Sequence, residues 1–163
     1  MWLPDPLKTT RRAALFGAAA LLAGCGFAPA YGTRGAGSHL LNRIRYQVPN
    51  TALGYRLRQS LRDSLGEGTD MVLDVNVTTG VLTSAETRSG EILRYTLPGT
   101  ATFTLRDSAG GTITSGSVDA FTGYSASASI RAVETAQIDA EDRLARLLAE
   151  RIITQLLVAA PAR

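Results

Sequence analysis

Histidine and cysteine each occur once in this 163-residue chain, at His39 and Cys25, and the one tryptophan is Trp2. One histidine cannot build a histidine metal cluster or a His-based acid/base pair, and its position next to a glycine-rich stretch argues against a serine triad. A lone cysteine excludes an internal disulfide and a thiolate cluster. Lysine disappears after Lys8: beyond residue 24 there are 14 arginines, 13 carboxylates and no lysine, a net charge of about +1. That charge is too small and too scattered for the basic face of a nucleic-acid binder. Part of the alkaline pI of 9.4 therefore comes from Lys8, Arg11 and Arg12. Gly110-Gly111 lies in a turn with no phosphate-binding helix behind it, so it is not a nucleotide loop. Glu134, Asp139, Glu141 and Asp142 sit near a helix start, where unpaired amide hydrogens attract acids without any catalytic purpose.

A long hydrophobic run is also missing. The most apolar stretch, Ala13 to Leu22, is ten residues long. As a helix it spans about 15 Å, half the thickness of a bilayer core. Preceded by Lys8, Arg11 and Arg12 and closed by Leu22-Ala23-Gly24-Cys25, it reads as an export signal ending in a bacterial lipobox. Small residues before Cys25 admit the signal peptidase, and the thiol accepts diacylglycerol. Thr10-Arg11-Arg12 is a weak twin-arginine pattern, so general export is expected. Once Cys25 is a thioether carrying palmitate-type acyl chains, each buried CH₂ contributes roughly 0.8 kcal/mol, and two or three chains anchor the protein permanently. Gly26, rather than aspartate, follows the cysteine and points to the outer membrane.

Three segments are expected: a signal over 1–24, a lipidated tether over 25–38, and one α+β domain over 39–163. The tether is rich in glycine and contains Pro29, yet Phe27 and Tyr31 interrupt it. A purely flexible linker has no use for two aromatics, so both are expected to pack against the domain or its surroundings.

Within the domain, residues 40–48 alternate as a first strand. Asn50 or Thr51 can then cap a helix in which Leu53, Leu57, Leu61 and Leu65 form one stripe, with Gly66 placed to end it. Residues 71–78 alternate cleanly, with Leu73, Val75 and Val77 on one face. Leu93, Tyr95, Leu97, Ala101, Phe103 and Leu105 keep one parity across Pro98-Gly99, which predicts a single long strand over 91–106 rather than two. Residues 107–111 make a turn and 112–121 a returning strand, whose change of parity between Ile113 and Val118 suggests a bulge near Gly116. From Ala132 to about Val158 apolar residues recur at spacings of three and four, a long helix with outer pairs Asp139–Arg143 and Asp142–Arg146. The expected fold is β-α-β-β-β-α: two helices on one face of a four-stranded mixed sheet, the first two strands parallel. The other face, rich in threonine and serine, is left for solvent or a wet interface.

Two stretches carry a family resemblance. Cys25-Gly26-Phe27-Ala28-Pro29-Ala30-Tyr31-Gly32 resembles the lipobox and C-G-F-x-P-x-Y-G start of the LptE (RlpB) family of lipopolysaccharide-assembly lipoproteins. Gly123-Tyr124-Ser125-Ala126-Ser127, followed by Ala136-Gln137-Ile138-Asp139-Ala140 and Leu148-Ala149-Glu150-Arg151-Ile152, is similar to the end of that family. The resemblance spans 25–163. It implies two helices on a four-stranded sheet and no enzymatic activity or cofactor. It further implies a plug inside the LptD β-barrel of the outer membrane, facing the periplasm, that helps the barrel assemble and binds lipopolysaccharide. On that footing the polar sheet face and the loops 79–90 and 107–111 should meet the barrel, with Thr83, Ser108 and Ser125 as contact candidates. Arg88 and Arg94 fit the phosphates of lipopolysaccharide, the plain alternative being solvated arginines. An accessory lipoprotein of another envelope complex would share the signal and fold, whereas an envelope hydrolase would need clustered catalytic residues that are missing.

The lipobox reading has a direct check. Cys25→Ala should abolish metabolic labelling of the protein with a radioactive fatty acid, and a mutant labelled as strongly as wild type would show that the cysteine is not the attachment point.

Overall fold

The computed structural model describes residues 36–159, apart from 87, 89, 91, 127 and 128. Cys25, Phe27 and Tyr31 therefore lie outside the described residues. After a short 3₁₀ turn (Ala36–His39) come β1 (Ile44–Gln47), α1 (Ala52–Leu65), β2 (Met71–Thr79), β3 (Leu82–Glu86), β4 (Ile92–Asp107), β5 (Thr112–Ser125) and α2 (Ile130–Ala159). The described residues are thus α+β, two α-helices with one mixed sheet, but the sheet has five strands and not the expected four. Among the described residues no helix is long and apolar enough to cross a membrane.

The fifth strand has a local cause. β4 is continuous through Pro98-Gly99, pairing along one edge with β5 and along the other first with β3 and then with β2. The carbonyl of Pro98 points to the second edge, where it accepts from the Gly80 N–H and the Thr79 hydroxyl. In an extended chain the N–H of a residue points the same way as its C=O, and proline has none. The ladder therefore breaks opposite Pro98, and what would be one strand is split into β2 and β3, which follow each other along β4. Residues 79–90, expected to be a loop, consequently contain β3. All five of its residues are exposed, so no buried stripe betrayed it in the sequence.

Register puts one set of side chains on a single face: Tyr46 opposite Leu73, Leu73 opposite Leu105, Val75 opposite Phe103, Ala101 opposite Val118 and Tyr95 opposite Tyr124. These meet the helices, where Leu57, Leu61, Leu144, Leu148, Ile152 and Leu156 are fully buried. Thr51 caps α1 by accepting the Gly54 N–H at 3.1 Å, and Gly66 ends it at φ +76°, a conformation costly for any residue with a Cβ. α2 approaches the sheet closely where side chains are smallest. A Cβ on Gly99 would lie 2.9 Å from Leu144 Cδ2, and one on Gly116 would lie 2.5 Å from Gln155 Oε1 of the helix. The buried Thr122 hydroxyl donates to the Ala140 carbonyl at 2.9 Å and fixes the helix along its axis. Arg56 joins the two helices through Glu141 and Asp142, each at 2.7 Å.

Several expectations change in detail. β1 starts at Ile44 rather than residue 40, because Asn42 takes φ +57° and interrupts the extended chain, although Leu40 is buried as a core residue. The bulge is not at Gly116. Leu105 pairs with Thr114 and Arg106 with Thr112, so Ile113 is the extra residue, and Gly116 serves the close packing just described. Asp139–Arg143 forms at 2.8 Å, whereas Asp142 turns to Arg56 instead of Arg146. Leu93, placed in the core by parity, is 38% exposed, since α2 begins beyond it with Ile130 itself in solvent.

Tyr46 ties β1 to the end of α1, donating to the Gly66 carbonyl at 2.7 Å. Burial first, and the charge of Glu67 second, push its hydroxyl up from 10 to about 12. A group with a raised folded pKa contributes stability that is complete below its unfolded pKa and disappears as pH climbs through the folded one. Tyr46→Phe should therefore cost about 1 kcal/mol at pH 8 by loss of the hydrogen bond. The wild-type advantage should close and then reverse sign between pH 10 and pH 12, as read by urea denaturation; an advantage of wild type that grows over that window would contradict the assignment.

Candidate functional site

One face of the sheet packs against the helices, and among the described residues no element covers the other. Three rows of directly paired residues cross it from β2 through β4 to β5: Asp74, Thr104 and Ser115; Asn76, Thr102 and Ser117; Thr78, Thr100 and Asp119. Thr100 donates to Asp119 at 2.6 Å, and Arg106 is held by Asp74. A surface of small hydroxyls keeps both donors and acceptors available and binds neighbouring groups directly or through water.

Toward the start of β4 the character changes. Pro98 faces Phe121, Thr96 lies between Leu82 and Gly123, and Arg94 lies between Ala85 and Ser125. Phe121 is 71% exposed and Leu82 58%, two large apolar side chains on a face elsewhere dominated by hydroxyls. Arg94 is exposed two residues beyond Thr96, and Arg88 is exposed in the turn that joins β3 to β4. Directly paired strands lie about 4.8 Å apart and alternate residues about 6.8 Å apart, so Leu82, Phe121 and Arg94 share one patch. On the reverse side of this end, Tyr95 and Tyr124 stack with centroids 5.2 Å apart. Burial, followed by the neighbouring Tyr95 and Glu141, raises the Tyr124 hydroxyl above its ordinary range.

The contact candidates do not form one surface. Ser125 pairs with Arg94 on the bare face, but Thr83 pairs with Tyr95 and so points to the helix side of β3. Ser108 is in the turn at the far end of β4. Sixteen residues of strand separate the two ends, about 50 Å. Arg88 and Arg94 do fall at the same end. Arg106, of the same parity as Arg94, is neutralised by Asp74. Phe121 was missed by sequence reasoning, although its odd number breaks the even parity of Val118, Ala120, Thr122 and Tyr124, and that mismatch is the signal of an exposed aromatic. Among the described residues no group of three or more His, Cys, Asp and Glu is arranged to hold a metal.

A family model described as LptE, lipopolysaccharide-assembly, matches residues 41–156. No curated protein matches the chain in sequence. Solved structures share its fold. A lipoprotein of Caulobacter crescentus is 24% identical with a TM-score of 0.61, the match covering 78% of this chain and 96% of that one. A minor lipoprotein of Acinetobacter baumannii is 18% identical with a TM-score of 0.57, covering 72% and 91%. The rare lipoprotein B of Shewanella oneidensis is 13% identical with a TM-score of 0.55, covering 72% and 95%.

Proposed function

The chain belongs to the LptE lipopolysaccharide-assembly family, and from that premise we propose that it is a non-enzymatic plug of the LptD outer-membrane barrel, anchored through Cys25 and facing the periplasm. The observation that carries this reading is the bare sheet face, hydroxyl-rich over most of its length, in a domain whose other face packs against the helices. A folded domain gains nothing for its own core from such a face. The interior of a wide membrane barrel is polar and wet, and a hydroxyl surface can lie against it without burying charge or apolar area.

The patch at the start of β4 suits the second half of the task. Lipopolysaccharide carries phosphates beside acyl chains. Arg88 and Arg94 offer guanidinium groups that pair with phosphate oxygens, while Leu82 and Phe121 offer apolar contact along the same end of the sheet, about 8 and 14 Å from Arg94 by the strand spacings. Arg106 is already paired with Asp74, so it contributes less to an incoming anion.

The test uses purified lipidated protein in detergent and lipopolysaccharide at two salt concentrations. Each lost charge-assisted hydrogen bond is worth about 1.5–3 kcal/mol, so Arg88→Ala with Arg94→Ala should weaken binding about tenfold or more at low salt. The difference should shrink at high salt, where charges are screened. A double mutant with native circular dichroism and unchanged affinity would remove these arginines from the site. Failure of the wild-type protein to bind would instead point to an accessory lipoprotein of another envelope complex.

A further inference from the structure

At the opposite end of the sheet from Arg94, between the end of α2 and the β4–β5 turn, lies a cavity of about 300 Å³. Its floor is apolar, made by Leu40, Met71, Leu105, Ile113 and Leu156, and its rim carries Arg43, Asp70 and Asp107. The floor is incompletely covered: Leu105 and Leu156 are buried, but Ile113 is 46% exposed. Ile113 is also the extra residue of the β4–β5 bulge. A bulge turns a side chain away from the face that strict alternation would give it. Here it brings an isoleucine from the parity of the bare face to the wall of a pocket that includes Leu156 of the helix layer.

We propose that this cavity is the docking site for Tyr31 of the chain's own N-terminal tether. The described chain begins at Ala36, and His39 and Leu40, three and four residues later, line the cavity. Only Gly32, Thr33, Arg34 and Gly35 separate Tyr31 from Ala36. Five steps of extended chain reach at most about 17 Å, enough to return to the pocket and too little to reach the far end of the sheet. Glycines at both ends of that connection let the chain reverse at low steric cost. A tyrosine matches the lining: its ring covers Ile113 and the floor, and its hydroxyl meets the carboxylates of the rim. Phe27 is four residues more distant, closes a longer loop and has no polar tip. Docking has a mechanical consequence. Cys25 is six residues before Tyr31, so the acyl chains are held within about 20 Å of this end of the sheet. The arginine patch is then set at the end remote from the anchoring leaflet.

The full lipidated protein in detergent micelles provides the test. Arg34 lies inside the short connection, so docking shields it from trypsin. Tyr31→Ala should accelerate cleavage after Arg34 about tenfold or more, the factor expected from losing one buried aromatic. Ile113→Asp should do the same, Tyr31→Phe should keep most of the protection, and Phe27→Ala should change the rate less than about twofold. Independently of any folding defect in Ile113→Asp, a benzophenone amino acid at position 31 should crosslink within the chain to the segments containing Ile113 or Leu156. Unchanged cleavage in Tyr31→Ala, or crosslinks confined to other surfaces, to residues 160–163 or to detergent, would overturn the proposal.

Discussion

The close seating of α2 on β4 and β5 governs the rest of the molecule. Thirty residues of helix lie along two long strands, and contact is intimate because Gly99 and Gly116 bring no side chain to the seam. Leu144 occupies the space over Gly99, Gln155 and Phe103 that over Gly116, and Thr122 holds the Ala140 carbonyl one turn before Leu144. The buried row from Ala140 to Leu156 completes a core to which α1 adds its leucine stripe and Arg56 a bridge between helices. Since the helices exhaust the apolar side chains on one face, the hydroxyl face has no structural partner. The exposed hydroxyl face is thus a consequence of how the core closes.

Pro98 is a second constraint of the same kind. Its missing N–H divides the strand beside β4 into β2 and β3, and its ring stands beside Phe121 on the bare face. A single residue therefore both ends the regular ladder and marks where the hydroxyl surface gives way to the apolar and arginine patch.

Elements with one buried stripe were legible in the sequence: the leucines of α1, the alternation of β2, the constant parity of β4 through Pro98-Gly99 and the periodic face of α2. What escaped was structure without burial. β3 has no buried face, so periodicity had nothing to register, and a fifth strand replaced the expected loop. The bulge was foreseen from the parity change but assigned to Gly116, because sequence cannot separate a glycine that permits a bend from one that permits a close approach. The placement of Arg94 on the bare face was readable because its parity opposes the core stripe of β4. Thr83 and Ser108 were chosen as loop polars, and topology sends them to the helix side and to the far end. Partners chosen across space, such as Arg56 for Asp142, leave no local trace at all.

These relations converge on one claim, that the bare sheet face is the docking surface and the helix face is structural. The most direct measurement is hydroxyl-radical footprinting of the full-length protein, free and together with the outer-membrane barrel proposed as its partner. Phe121 and Leu82 on the bare face and Tyr55 on α1 are all well exposed in the free domain. The account predicts that assembly protects Phe121 and Leu82 while Tyr55 stays reactive. Protection of Tyr55 with Phe121 and Leu82 left open would contradict it.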